Sequence, residues 1–167
     1  MNSLAIPIAA LPATSPEMLD KIGQLESVLL GLEAVERPAD LDTEHVIHAG
    51  MYARTIRMPA GMVLTGALIK RATLVITVGG PATILAGEHW VVIEGHRVIP
   101  ARANRKQVFI SAVKDEHGEW IGAPIIITML FPTTAKTVEE AELEFTDDAD
   151  RLLSRRQDAN TVLITEE

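Results

Sequence analysis

The sequence predicts a mainly β protein, a sandwich, jelly roll or barrel, with helical segments at both ends. Between residues 44 and 131, short runs rich in Val, Ile and Thr alternate with turns that contain Gly and Pro. No helical pattern interrupts these runs, so a parallel α/β sheet is not expected. Apolar residues make up 47% of the 167 residues, which is enough for the core of one domain.

The composition argues against several classes of function. The formal net charge of −8 disfavours binding to nucleic acid, and no direct contact with nucleic acid is expected. The absence of cysteine excludes disulfides and thiolate metal sites. The N-terminal segment lacks the basic region of a secretory signal. No apolar run reaches the roughly 18 residues that a membrane span needs, so no membrane association is expected.

The first 43 residues are predicted to form an extended arm, a helix and a linker. Prolines exclude a helix over residues 1–14. Ser15 is a good N-cap and Pro16 suits a first helical turn, so a helix begins here, within the helix-and-linker segment 15–43. It is expected to end at Gly31 or in the region of Pro38. Its apolar residues recur at spacings of three and four, which predicts a stripe that packs on the barrel or serves as an assembly surface. The stripe consists of Met18, Ile22, Leu25, Leu29 and Leu32.

Residues 44–132 are predicted to form the barrel domain. Gly79-Gly80-Pro81 and Glu94-Gly95 provide turns, and Asp115-Glu116-His117-Gly118 is typical of a hairpin tip. We expect strands near residues 44–49, 51–58, 62–69, 73–78, 82–86, 89–94, 97–100, 106–113 and 124–131.

Residues 133–156 are predicted to form one or two helices, and residues 157–167 a tail. Thr137 and Glu140 have the spacing of a capping box, in which the Glu140 carboxylate reaches back to the N-cap amide. The helical apolar face consists of Val138, Ala141, Phe145, Ala149, Leu152 and Leu153. The tail is expected to be free or ordered only by a neighbouring molecule.

The segment 61–80, GMVLTGALIKRATLVITVGG, resembles the first conserved motif of cupin barrels. That motif reads G-x5-H-x-H-x3/4-E-x6-G, and both terminal glycines are present here. The three ligand positions hold Ala67, Ile69 and Thr73 instead of two histidines and a glutamate. Neither Ala67 nor Ile69 has a side chain that ligates a metal, and Thr73 is a poor ligand.

The segment 95–109 resembles the second cupin motif, G-x5-P-x-G-x2-H-x3-N, with the first glycine and the proline one residue closer together. Arg105 stands at the histidine position and Phe109 at the asparagine position. Because a guanidinium is a permanent cation, it would repel a metal. The resemblance therefore implies one cupin-type jelly roll whose metal site is lost, and no metal or other cofactor is expected.

A narrower resemblance covers about residues 45–156. It is carried by HAGMYARTIRMPAGMVLTGALIKRATLVITVGG, GHRVIPARANRKQVF and MLFPTTAKTVEEAELEFTDDADRLLSRR. These strings are similar to small cupin-like proteins of tailed bacteriophages and prophages, which are mostly uncharacterised. The resemblance implies a phage origin and a jelly-roll fold, and it implies no activity by itself.

The sequence offers no clear catalytic set. His45 and His48 lie three residues apart on a predicted strand, so their side chains point to opposite faces. The histidines are interpreted as surface or capping residues, and no G-x-S-x-G nucleophile motif is present. A metal-independent isomerase or epimerase would need an acid/base pair, for which Tyr52 and His48, near Arg57, are the candidates.

Several cations near the two motifs suggest an anion site. Its candidate residues are Lys70, Arg71, Arg105, Arg57 and Tyr52. Clustered guanidinium groups bind carboxylate or phosphate well. Alternatively, these cations point outward and discourage pairing between sheet edges.

We therefore expect a non-catalytic protein in preference to an enzyme: a structural or interaction protein of a phage particle, such as a capsid decoration protein or a tail or collar component. It would assemble in the host cytoplasm as a homo-oligomer, join capsid or tail proteins and reside in the virion. One alternative is a cupin that binds a small sugar or acid, or acts on it as an isomerase. Another is a regulatory protein that binds a host factor.

Overall fold

The computed structural model describes residues 9–33, 41–152 and 160–165. Two helices flank a β domain: α1 Pro16–Glu33 and α2 Val138–Phe145, the latter followed by a 3-10 turn, Ala149–Arg151. The strands are β1 Asp42–His48, β2 Met51–Met58, β3 Val63–Ile69, β4 Thr73–Gly79, β5 Ala82–Ala86, β6 His89–Ile93, β7 Arg97–Ala101, β8 Arg105–Ile110, β9 Ala112–Lys114, β10 Trp120–Gly122, β11 Ile125–Pro132 and β12 Asn160–Ile164.

Two sheets face each other in an arrangement of the sandwich or jelly-roll type. The large sheet has the strand order β12-β1-β2-β11-β4-β7, and the small sheet has the order β3-β8-β5-β6. Strands distant in sequence are neighbours, as β2 and β11 show, which is typical of jelly rolls. The mainly β fold with helices at both ends is therefore confirmed. β9 and β10 form a separate hairpin around the expected tip at residues 115–118.

Alternation along the strands places one face of the large sheet in the interior. In β2, Tyr52, Arg54, Ile56 and Met58 point inward, and Ala53, Thr55 and Arg57 point outward. The interior contains two apolar clusters. The first cluster consists of Leu11, Leu41, Met58, Val75, Ala82, Ile84, Ile93, Ile99, Ala101, Phe109, Ile125 and Ile127. The second cluster consists of Ile47, Tyr52, Ile69, Phe131, Ala135, Ala141, Phe145, Ala149 and Leu152.

Helix α1 covers the outer face of the small sheet. The Ser15 hydroxyl accepts a hydrogen bond from the Met18 amide at 3.2 Å, so Ser15 caps the helix as expected. Ile22 is buried against Leu85 and Val108, and Met18 and Leu25 pack beside it. The first half of the predicted stripe therefore packs on the protein's own barrel and is not available as an assembly surface.

Helix α2 packs against the second apolar cluster. Its N-cap hydroxyl, on Thr137, accepts from the Glu140 amide at 3.2 Å. The Glu140 carboxylate accepts from the Lys136 amide at 2.9 Å, one residue before the expected N-cap amide. Of the one or two helices expected over residues 133–156, the structure shows α2, which ends at Phe145, and a 3-10 turn that begins at Ala149.

Both terminal segments contact the outer strands of the large sheet. Leu11, in the predicted arm, exchanges backbone hydrogen bonds with Pro100 and Arg102 at 2.8 and 2.9 Å, alongside β7. At the opposite edge, β12 pairs in parallel with β1, where the sequence predicts only a tail. The short run 161–164 becomes a strand because β1 offers unpaired backbone groups.

Some predicted segments lie outside the described residues: 1–8 of the arm, 34–40 of the linker, 153–156 of the helical segment and the remaining tail positions.

Candidate ligand-binding site

A cavity of about 800 Å³ lies between the two sheets. Ligand pockets for small molecules occupy about 300–1,000 Å³. Most of the lining is apolar, and it includes Leu41, Ile56, Met62, Leu64, Ile69, Val75, Phe109, Ile127, Met129, Phe145 and Leu152. Polar and charged lining groups come from Glu26, Thr43, Arg54, Thr65, Arg105, Lys106, Gln107, Asp148 and Arg151.

Arg105 is the most unusual residue of this cavity. It lies at the start of β8 and is only 3% exposed. Its two terminal nitrogens donate to the Thr73 hydroxyl at 2.6 Å and to the Arg102 carbonyl at 3.0 Å. Among the described residues, no carboxylate forms an ion pair with it. Arg105 is therefore a buried cation held by neutral groups alone.

Burial lowers the pKa of Arg105 to about 10, because desolvation disfavours the charged form. The guanidinium still carries its charge at neutral pH. An anion beside it would favour the charged form and so reverse part of this shift. The cavity thus contains a positive charge that a bound anion would stabilise.

Of the three positions that the resemblance aligns with cupin metal ligands, two lie next to this guanidinium. Ile69 is the cross-strand neighbour of Arg105, and Thr73 accepts its hydrogen bond. Ala67 also lines the cavity. Among the described residues, no group of three or more His, Asp or Glu side chains is placed to hold a metal ion.

A second arginine of the cavity has an acidic partner. Arg54 lies on β2, and its guanidinium donates to the Glu142 carboxylate at 2.9 Å. Arg54 is 7% exposed and Glu142 is 1% exposed, so the pair is buried. The two arginines therefore differ in electrostatic state, since Arg54 is neutralised by a carboxylate and Arg105 is not.

The other predicted anion-site cations lie outside the cavity. Lys70 pairs with Asp147 at 2.7 Å, and Arg71 pairs with Glu144 at 2.8 Å, both at the surface. Arg57 points outward from β2 and lies 3.6 Å from carboxylate oxygens of both Asp42 and Glu44. Of the predicted cations, only Arg105 lines the cavity. The alternation of β2 turns Arg57 away, and the acidic residues of α2 and the following loop hold the other two.

Tyr52 and the histidines do not form the proposed acid/base pair. The buried Tyr52 hydroxyl lies 2.7 Å from Nδ1 of His45, which is 1% exposed. His48 is exposed and lies near Thr165 instead. The interpretation of the histidines as surface or capping residues is thus wrong for His45, since β1 turns it inward. None of these residues lines the cavity.

Sequence reasoning missed two polar residues of the interior. Glu142 has a detectable signal, because it lies between Ala141 and Phe145 on the apolar face of α2. A carboxylate on such a face needs a buried cation. Gln107 donates to the Leu85 carbonyl, and a glutamine within a strand carries no comparable signal.

Comparisons with known proteins define only a distant structural likeness. No known protein-family model matches the chain, and no curated protein matches it. A structural-genomics protein of unknown function from Rhizobium leguminosarum bv. viciae 3841 is 15% identical, with a TM-score of 0.41, over 59% of this chain and 88% of its own. The TT1209 protein of Thermus thermophilus is 13% identical, with a TM-score of 0.40, over 61% and 94% respectively. Neither similarity carries an argument about function.

Neither α1 nor α2 is both long and apolar enough to cross a bilayer.

Proposed function

We propose that the protein binds a small organic anion, best a carboxylate, inside the barrel without catalysing a reaction on it. One observation carries the proposal: Arg105 is a buried cation in an apolar cavity, with only neutral hydrogen-bond acceptors. A charge removed from water is destabilising unless an opposite charge compensates it. A bound carboxylate would provide that compensation.

The donor geometry of Arg105 favours a carboxylate. A guanidinium has five N–H donors, and Arg105 uses one bond to Thr73 and one to Arg102. Three donors therefore remain for a ligand. Carboxylates accept two parallel hydrogen bonds from guanidinium groups, at about 2.7–2.9 Å.

The lining favours binding over catalysis. It contains no histidine or tyrosine within the described part of the chain. Its carboxylates are Glu26 and Asp148, and Glu26 forms an ion pair with the Lys106 ammonium at 2.7 Å. General acid–base catalysis needs a titratable pair aimed at the reacting atoms, and the described lining supports no such pair.

The test is thermal denaturation and calorimetry with hexanoate, benzoate and the uncharged amides of both acids. We expect the acids to raise the melting temperature and the amides to have little effect. Ligand at a hundredfold excess over Kd should add about 2.7 kcal/mol of stability. The Arg105→Met variant should lose this response. Equal binding of acids and amides, or an undiminished response of the variant, would contradict the proposal.

A second candidate is the self-associating interaction protein of a phage particle. The observation that favours it is the outer face of the large sheet, where apolar side chains remain exposed. They include Leu74, Val78, Val98, Ile126 and Leu163, with exposures of 36–54%. Exposed apolar surface favours association with another protein surface, which assembly in a particle would provide.

The Val98→Lys variant tests self-association, since Val98 is 52% exposed and its replacement should not disturb folding. Sedimentation velocity should show an oligomer for the wild type and a smaller species for the variant. The Val28→Lys variant on α1 serves as control. Mass spectrometry of purified virions should detect the protein at a fixed copy number, whereas its presence only in infected-cell lysate would exclude the particle role.

A further inference from the structure

We infer that the bound acid carries an apolar chain, which extends from Arg105 to the last two turns of α1. This inference rests on the proposed function and names the class of ligand as an aliphatic carboxylate. It depends on three observations: the two-part packing of α1, the apolar lining, and the exposed leucines at the cavity's edge.

Among the described contacts, helix α1 is anchored through its residues up to Glu26. Ile22 is 2% exposed against the small sheet, and Glu26 forms an ion pair with Lys106 at 2.7 Å. Beyond Glu26 the helix has large apolar side chains in solvent. Val28, Leu30 and Leu32 are 61%, 59% and 56% exposed.

Two of these exposed residues also belong to the cavity. Leu30 and Leu32 line it together with the half-buried Leu29, whereas Val28 does not. Because Leu30 and Leu32 are both exposed and cavity-lining, the cavity opens to solvent beside them. The opening is thus bordered by apolar helical side chains, which water solvates poorly.

The apolar lining of the cavity is suited to a hydrocarbon chain. Ile69 lies directly across from Arg105, and Phe109, Ile127 and Met129 line the same cavity. A carboxylate at Arg105 would leave its chain among these side chains. A short acid would reach Arg105 and leave Leu30 and Leu32 uncovered, whereas a longer chain would cover them.

The experiment measures the affinities of butanoate, hexanoate, octanoate and decanoate below their micellar concentrations. We expect the affinity to rise by up to about fourfold for each added methylene, the value for full burial. The double variant Leu30→Gln/Leu32→Gln should weaken decanoate binding by about tenfold, the value for loss of apolar contact with one or two methylenes, and leave butanoate binding unchanged. Val28→Gln, equally exposed on the same helix, should leave all affinities unchanged.

The outcomes separate this inference from the proposed function. Equal affinity for all four acids, with loss of binding in Arg105→Met, would contradict the inference of an apolar ligand chain and leave the anion site in place. If none of the four acids binds, both the anion site and the path of the ligand's apolar chain are wrong. Equal binding of decanol and decanoate would also overturn the anion site. If the double variant dissociates an oligomer and leaves decanoate binding unchanged, the leucines contact a second copy instead, and the chain's path is wrong.

Discussion

Replacing Arg105 by methionine should leave the ligand-free protein folded and within about 2 kcal/mol of the wild-type stability. The lowered pKa, about 10, corresponds to roughly 3 kcal/mol of destabilisation of the charged side chain. Its hydrogen bonds to Thr73 and Arg102 contribute in the opposite direction, about 1.5–3 kcal/mol each. A buried methionine side chain adds about 1.5–3 kcal/mol. These contributions nearly cancel, so loss of ligand binding should not be accompanied by loss of the fold.

The matched control is Arg54→Met, in the same cavity. This substitution removes the partner of Glu142, which is 1% exposed. Removing one partner of a buried ion pair costs about 3–5 kcal/mol, because the other charge stays buried without compensation. Arg54→Met should therefore be clearly less stable than Arg105→Met.

Urea denaturation followed by far-UV circular dichroism measures both variants. A shifted midpoint with an unchanged slope identifies a change in stability. If Arg105→Met costs as much as Arg54→Met, Arg105 acts as a structural tie between β8, Thr73 and Arg102. The reasoning from an uncompensated charge would then be wrong.

Three further predictions concern the same interior and its turns. Carboxylate affinity should stay constant from pH 6 to 9 and fall above about pH 10, because Arg105 then loses its proton. The stability of the ligand-free protein should rise above about pH 10, since the pKa of Arg105 is lower in the folded than in the unfolded state. Calorimetry checks the first trend across pH, and urea denaturation checks the second. Tyr52→Phe should cost about 1–2 kcal/mol in urea denaturation, because it removes the buried hydrogen bond to imidazole; an unchanged midpoint would show that this bond contributes nothing. Gly79→Ala should cost about 1–3 kcal/mol more than Gly118→Ala, since both have positive φ but only at Gly79 does a Cβ meet a carbonyl, that of Pro124, at 2.9 Å; equal melting temperatures would contradict this.

The strands were largely predictable because alternation and turn residues are local signals. The residues that point into the interior were harder to predict, as strand β2 illustrates. Arg54 and Arg57 are three residues apart, so one of them must point inward, but the sequence does not say which. The choice is explained by Glu142, which lies 88 residues from Arg54 in the chain and pairs with it across the interior.

The other unpredicted features also depend on distant partners. In β8, Arg105, Gln107, Val108 and Phe109 are all buried, because α1 covers the outer face of the small sheet. The simple alternation of buried and exposed residues is therefore lost in this strand. The run that forms β12 is too short to predict a strand by itself, and it becomes one only beside β1.

The closure of the large sheet by segments from opposite ends of the sequence has a consequence for synthesis on the ribosome. Leu11 is available early, but it binds beside β7, which is made much later. The outer edge of β1 stays open until residues 160–164 have been synthesised. Nascent chains therefore expose an unpaired strand edge through most of translation, which is a site for pairing between neighbouring chains. Crowding of ribosomes on one messenger should favour aggregation of this protein, and slower initiation should reduce it.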